Sequence, residues 1–296
     1  MKSFLRLSDL SSREISSLLS DALALKKQKK QKKILDGKIL ILLFEKESTR
    51  TRVSFEAGMA RLGGTTITLA SGQSQISRGE TYADTARVLS RYGHALMFRT
   101  FKHETAEELA RFSSVPVING LTDLFHPCQI LADLMTIIEK KKKLSSIKIA
   151  YVGDGNNMAN SWLEAACLLG FKLYVATPKG FEPTWDYKKE FGEKKNIVLT
   201  NDPFEALDEA DVVNTDTWFS MGQVVSDKKR NTFHPFQINE KILKRSKNNC
   251  LILHCLPAHR GEEITSDVLD GKNSVVFDEA ENRMWAQMAL LKKLMT

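Results

Sequence analysis

The stretch Ser48-Thr49-Arg50-Thr51-Arg52 sets three hydroxyls and two guanidinium groups within five residues. Hydroxyls and backbone N–H groups donate to phosphate oxygens, and a guanidinium adds a planar fork of charged donors. The apolar run Lys38–Leu43 before it reads as a buried parallel strand, and Val53-Ser54-Phe55-Glu56-Ala57-Gly58-Met59 after it reads as an amphipathic helix. The five residues therefore fall at a strand-to-helix turn, where free backbone N–H groups favour an anion. The stretch is not a P-loop, since it has no glycine and no Gly-Lys-Ser/Thr ending. A capped helix start with solvated arginines is the other reading of these residues taken alone.

Further polar residues fall at comparable places. Arg99 ends the apolar strand Ala95-Leu96-Met97-Phe98, and ligands of open α/β sheets bind beyond the carboxyl ends of the strands. His126-Pro127-Cys128-Gln129 opens a helix running to Glu139, with Pro127 in its first turn. After the β-branched strand Thr65–Leu69, the polar, glycine-bearing segment of residues 70–80, which includes Gln75, reads as a loop. Ser48, Arg99, His126 and Gln129 are thus expected on one side of a sheet.

The elements needed to hold them alternate along the whole chain. A first helix is expected within residues 8–33, with Ile15, Leu18, Leu19, Ala22, Leu23 and Leu25 at helical spacing, ending in a lysine run before Gly37. The charged, polar junction Lys140–Ser146 marks a domain boundary. Beyond it strands are expected at 147–152, 173–177, 197–199, 211–215 and 250–254, and a final helix at 278–294. For 296 residues the natural expectation is two α/β domains, 1–143 and 144–279, each a doubly wound parallel sheet. The C-terminal helix 280–296 is expected to pack back on the first domain.

Composition excludes several classes. No apolar run approaches the roughly 18 residues that would span a membrane, and Met-Lys-Ser-Phe-Leu-Arg has no apolar signal core, so a cytoplasmic protein is expected. Cys128, Cys167, Cys250 and Cys255 lack the short paired spacing of a structural zinc site, and nothing suggests a disulfide framework. Of the net charge of +7, the six lysines among residues 26–33 account for all but +1. Without interleaved aromatics or a binding motif, that run is read as a solvated helix end rather than a nucleic-acid site. Gly153-Asp154-Gly155 after a strand suggests a dinucleotide turn. Met158 replaces the third glycine, however, and no acidic residue ends the next strand, so nicotinamide binding is not expected.

Three motifs in order, Ser48-Thr49-Arg50-Thr51-Arg52, His126-Pro127-Cys128-Gln129 and His254-Cys255-Leu256-Pro257-Ala258-His259-Arg260-Gly261, resemble those of the aspartate/ornithine transcarbamoylases. The Asp216–Gly222 segment and the Cys255 turn resemble the ornithine branch, and the likeness spans nearly the whole chain.

The resemblance implies transfer of a carbamoyl group from carbamoyl phosphate to the δ-amine of L-ornithine, giving L-citrulline and phosphate, with no metal or organic cofactor. Putrescine or N-acetylornithine would be the alternative acceptors. It implies an active site in the cleft between the two domains, with carbamoyl phosphate held by Ser48, Thr49, Arg50, Thr51, Gln75, Arg99, His126, Gln129, Cys255, Leu256 and Arg283. Arg50, His126 and Cys255 would be the catalytic residues, and Asn157, Asp216, Ser220 and Met221 would hold ornithine. Asp216 suits a cationic amine, whereas an aspartate site would need positive groups there. The resemblance further implies a cytoplasmic homotrimer, or larger assemblies of trimers, in which Gln75 reaches a neighbouring subunit's site, with no nucleic-acid or membrane partner and a place in arginine biosynthesis.

Overall fold

A computed structural model describes residues 3–70, 72, 74–219 and 227–296. The chain divides into two units, one of Met1–Met135 with Glu281–Thr296 and one of Thr136–Ala280.

The first unit carries a four-stranded, wholly parallel sheet. In chain order its elements are α1 (Ser12–Lys27), β1 (Ile39–Phe44), α2 (Thr49–Arg61), β2 (Thr65–Leu69), α3 (Tyr82–Leu89), β3 (Ala95–Arg99), α4 (His103–Phe112), β4 (Val117–Leu121) and the first part of α5 (Pro127–Lys141), whose residues from Thr136 on belong to the second unit. The strand order is β2-β1-β3-β4. The middle strands β1 and β3 are apolar and almost fully buried, as strands covered on both faces must be. Ile41, Leu43, Leu96 and Phe98 pack there against Ala86, Ala106 and Leu109 of the flanking helices. Phe44 lies opposite Arg99, so the phosphate-type turn after β1 and the arginine ending β3 are brought to the same edge.

The lysine run differs from expectation. α1 stops at Lys27 and Gln28 is already extended, so Lys29, Lys30, Lys32 and Lys33 lie exposed beyond the helix. Lysines three and four apart would repel along a continued helix. Instead the Gln31 side-chain amide donates to the carbonyls of Leu25 and Gln28 and closes the helix end. Within the expected loop, residues 75–78 form a single 3-10 turn, with Gln75 exposed at its start.

The second unit carries a five-stranded parallel sheet of order β7-β6-β5-β8-β9. Its elements are β5 (Lys148–Val152), α6 (Asn157–Leu169), β6 (Lys172–Ala176), α7 (Tyr187–Phe191), β7 (Ile197–Thr200), α8 (Pro203–Leu207), β8 (Val212–Thr215), α9 (Asp227–Phe233), α10 (Glu240–Leu243), β9 (Leu251–His254) and α11 (Ser266–Leu269). The order reverses at β5, which places the ends of β5, β8 and β9 together. Gly155 has a packing role here. A Cβ on it would run into the backbone of residues 181–183, and its N–H donates to the Phe181 carbonyl at 2.9 Å. Close approach of chain to chain accounts for that glycine without a bound pyrophosphate.

The last helix, α12 (Val276–Met295), gives its residues from Glu281 onward to the first unit. There Lys292 pairs with Asp21 and Lys293 with Glu14, each at 3.0 Å, and Lys26 donates to Asn282 at 2.8 Å. The two exposed ion pairs fix register more than they stabilise. Burial of Met288, Leu290, Leu291 and Leu294 supplies the cohesion.

Candidate active site

The first cluster is built on two helix starts. Ser48 caps α2, its hydroxyl accepting from the Thr51 N–H at 3.2 Å. Ser is a strong capping residue, and the remaining N–H groups of the first turn, which carries Thr49, Arg50 and Thr51, point out of that end of the helix. The second start is α5. Asn119 ties down the approach by donating to the carbonyls of Leu5 and Phe125, and the Thr122 hydroxyl accepts from the Phe125 N–H. The His126 carbonyl then receives the Gln129 N–H at 3.1 Å, with Pro127 contributing no donor that would need a partner.

Arg283 joins these two starts. From α12 it donates to the Thr51 hydroxyl at 2.8 Å, to the Gln129 side-chain oxygen, and lies 3.4 Å from His126 Nε2. Arg99 donates to the same Thr51 hydroxyl at 3.3 Å. Asp133 accepts from the Gln129 amide nitrogen at 2.8 Å, which fixes the amide so that its oxygen faces Arg283. Thr51, His126, Gln129, Asp133 and Arg283 are all buried. Burial, with Arg283 and Arg99 beside it, holds the His126 imidazole well below its ordinary value. His126 is therefore neutral near pH 7. Cys128 faces away from such chemistry, since burial pushes its thiol up to about 12 and it donates to the Asn119 carbonyl.

Of the expected carbamoyl-phosphate residues, Ser48, Thr51, Arg99, His126, Gln129 and Arg283 thus form one connected group. Thr49 is exposed and Arg50 half-buried in the same helical turn. Gln75 stands exposed on its own 3-10 turn, and among the described residues no bond joins it to this group.

The second cluster lies at the ends of β5, β8 and β9. Asp216, immediately after β8, is buried. Its Oδ1 accepts from the Cys255 thiol at 2.9 Å and from the Thr217 N–H at 2.8 Å, and its Oδ2 accepts from the Asn156 amide at 2.9 Å. Asn156 caps α6, accepting from the N–H groups of Met158 and Ala159. Asn157 is therefore the first helical residue, beside the cap that holds Asp216. Tyr151 donates to the Asp154 carbonyl and to Asn156, and burial with Asp216 and Asp154 nearby pushes its phenol well up. Burial and the neighbouring Asp216 raise the Asp154 carboxyl to about 6, against the opposing pull of Lys229. Leu256 follows Cys255 with a left-handed backbone, φ 55°. Ser220 and Met221 lie outside the described residues.

Sequence reasoning passed over Asp133, Asn156, Asp154 and Tyr151. An i, i+4 Gln-Asp pair at the start of a buried helix marks Asp133, and the residue before the first helical position marks Asn156 as the cap. Asp154 and Tyr151 show their role only once β5 and β8 are adjacent.

One unit thus carries a donor-rich, electropositive cluster and the other a carboxylate-thiol cluster. Comparison with known proteins finds a family model for each part of the chain. The family model for the carbamoyl-P binding domain of aspartate/ornithine carbamoyltransferases matches residues 2–139, and that for the Asp/Orn binding domain matches residues 145–294. The chain is 54% identical to the ornithine carbamoyltransferase of Anoxybacillus flavithermus, covering 99% of this chain and 96% of the relative. It is 49% identical to that of Bacillus subtilis, covering 99% and 94%. Among solved structures, ornithine carbamoyltransferase from Pyrococcus furiosus superposes with a TM-score of 0.94 at 48% identity, covering 99% of this chain and 97% of that one. The Thermus thermophilus enzyme superposes with a TM-score of 0.92 at 42% identity, covering 100% and 99%. No helix among the described residues is long and apolar enough to cross a membrane. Two domain models and full-length identity near one half make this chain a member of the aspartate/ornithine carbamoyltransferase family.

Proposed function

We propose that this chain transfers the carbamoyl group of carbamoyl phosphate to the δ-amine of L-ornithine, forming L-citrulline and phosphate. The observation that carries the reading is the pairing of donors on the first unit, Arg283 and Arg99 converging on Thr51 beside a neutral His126, with an acceptor, Asp216, on the second. Ser48, Thr49, Arg50, Thr51 and Arg99 hold the phosphate through hydroxyls, the α2 amides and guanidinium forks. Arg283 and His126 donate to the carbonyl oxygen, and Gln129 holds the carbamoyl NH₂.

In the reaction the neutral δ-amine nitrogen attacks the carbamoyl carbon, and the carbonyl oxygen gains negative charge. Arg50, Thr51, Arg283 and His126 stabilise that oxyanion with donors already in place. The C–O bond to phosphate then breaks, its electron pair leaves with the phosphate, and the amine loses a proton, which the departing phosphate accepts. A neutral imidazole suits this work, since it donates a hydrogen bond without itself changing charge. Asp216 and Asn157, with Ser220 and Met221, fix the amino-acid end of ornithine. Cys255 and Leu256 orient the reacting groups without a covalent bond, because an amine attacking an activated carbonyl needs no enzyme nucleophile.

In this reading the first unit is the carbamoyl-phosphate domain and the second the ornithine domain. The enzyme works as a cytoplasmic homotrimer in arginine biosynthesis, with Gln75 serving a neighbouring subunit. The test is citrulline formation by the purified protein with carbamoyl phosphate and, in parallel, L-ornithine, putrescine, N-acetylornithine and aspartate. Saturable turnover with ornithine supports the reading, and turnover confined to another amine overturns the assignment of the second cluster.

A further inference from the structure

The turn that carries Cys255 and Leu256 is held by a buried chain of hydrogen bonds. His254, the last residue of β9, is fully buried, and its backbone N–H donates to Glu279 Oε2 at 2.9 Å. Its ring nitrogen Nδ1 accepts from the Leu256 N–H at 2.9 Å. A ring whose Nδ1 accepts carries its proton on Nε2, and that nitrogen lies 3.0 Å from Oε1 of Glu263, also fully buried. The same Oε1 accepts from the His259 N–H at 2.5 Å. One carboxylate oxygen thus ties both ends of the 254–259 turn, directly at His259 and through the imidazole at Leu256.

The tie matters because Leu256 has a left-handed backbone, φ 55°, which a branched side chain adopts only where its surroundings impose it. The Leu256 N–H on His254 is one contact that holds it there. The same turn carries the Cys255 thiol, which meets Asp216 at 2.9 Å.

We infer that Glu263 is a positioning residue for the acceptor substrate, acting by holding His254 in the tautomer that receives the Leu256 N–H. The inference rests on the carbamoyl-transfer reading, in which Cys255 and Leu256 orient the reacting groups and Asp216 fixes ornithine. A Glu263 that serves packing alone would affect both substrates or neither. A positioning residue affects ornithine more than carbamoyl phosphate, because only Cys255 and Leu256 of the carbamoyl-phosphate residues share this unit, while the phosphate-holding Ser48, Thr49, Arg50, Thr51 and Arg99 belong to the other.

The test compares wild type, Glu263→Gln, Glu263→Met and His254→Asn in full-length protein. The readouts are kcat, KM for ornithine, and the Kd of carbamoyl phosphate alone. Gln keeps an oxygen able to accept from both His254 and His259, so Glu263→Gln should stay within about threefold of wild type. Glu263→Met fills similar space with no acceptor and should raise the ornithine KM at least about tenfold while the carbamoyl-phosphate Kd changes less than about twofold. If that variant does not fold, His254→Asn decides. It keeps an acceptor for the Leu256 N–H and cuts only the link to Glu263, and a rise of at least about fivefold in ornithine KM is expected. Ornithine KM and kcat within twofold of wild type in whichever of these two variants decides, or an equal loss of both substrates, overturns the inference. Wild type that makes no citrulline overturns the underlying reading before any variant is compared.

Discussion

At the scale of the residue, the first site is defined by where Arg283 points. Its guanidinium reaches Thr51, Gln129 and His126 together, so one side chain touches a hydroxyl, an amide and an imidazole drawn from two helix starts. Arg283→Ala should lower kcat/KM by about 10²-fold or more, the size expected for a preorganised donor to a developing oxyanion. Steady-state kinetics at saturating ornithine will show whether the loss falls on kcat. Asp154 gives a second prediction. Its carboxyl stands at about 6 instead of 3.8, so between roughly pH 4 and 6 the folded protein holds a proton that the unfolded chain has lost. Stability should fall as pH rises through that window, by no more than about 3 kcal/mol from this group. Asp154→Asn should flatten the dependence, as read from urea unfolding at pH 4.5 and pH 7. The candidate residues with strong local signals, Ser48, Thr51, His126 and Gln129, were legible because caps and helix starts are properties of a few adjacent residues. Asp154 and Tyr151 were not, since their environment comes from β8, some sixty residues along the chain.

At the scale of the element, α2 separates capping from binding. Ser48 accepts from the Thr51 N–H, and Asp caps a helix about as well as Ser. An aspartate there also favours the helix dipole, yet it puts a negative charge where a phosphate dianion is expected. Ser48→Asp should therefore leave the melting temperature unchanged or slightly raised while increasing the KM for carbamoyl phosphate more than about tenfold. Calorimetry and kinetics on the same preparation separate the two effects. Strand positions were readable to within a residue or two because buried parallel strands are short apolar runs between turn residues, as in Leu40–Phe44 and Ala95–Phe98. The end of α1 was not. Its apolar spacing fades into lysines that look equally helical, and the stop depends on Gln31 folding back onto Leu25 and Gln28.

At the scale of the whole molecule, each unit has its own parallel sheet and its own polar cluster, with α12 supplying Arg283 to the first. The two-part build was visible in sequence as two α/β runs flanking a lysine-rich junction. The recruitment of residue 283 to a site made by residues 48–129 was not, because only tertiary packing joins them. Six lysines at the end of α1 and just beyond it, residues 26–33, account for all but +1 of the net charge of +7, and none of them lies in a site motif. Replacing Lys29, Lys30, Lys32 and Lys33 with glutamine should leave kcat and both KM values within about twofold of wild type, and a loss of turnover would assign that segment a part in the reaction. Transfer between two bound substrates is tested by measuring citrulline and phosphate together in one reaction. One phosphate is expected for each citrulline formed, with the ornithine-dependent rate rising with pH as the amine deprotonates. Phosphate released at the full rate without ornithine, or ornithine consumed without citrulline, would contradict it.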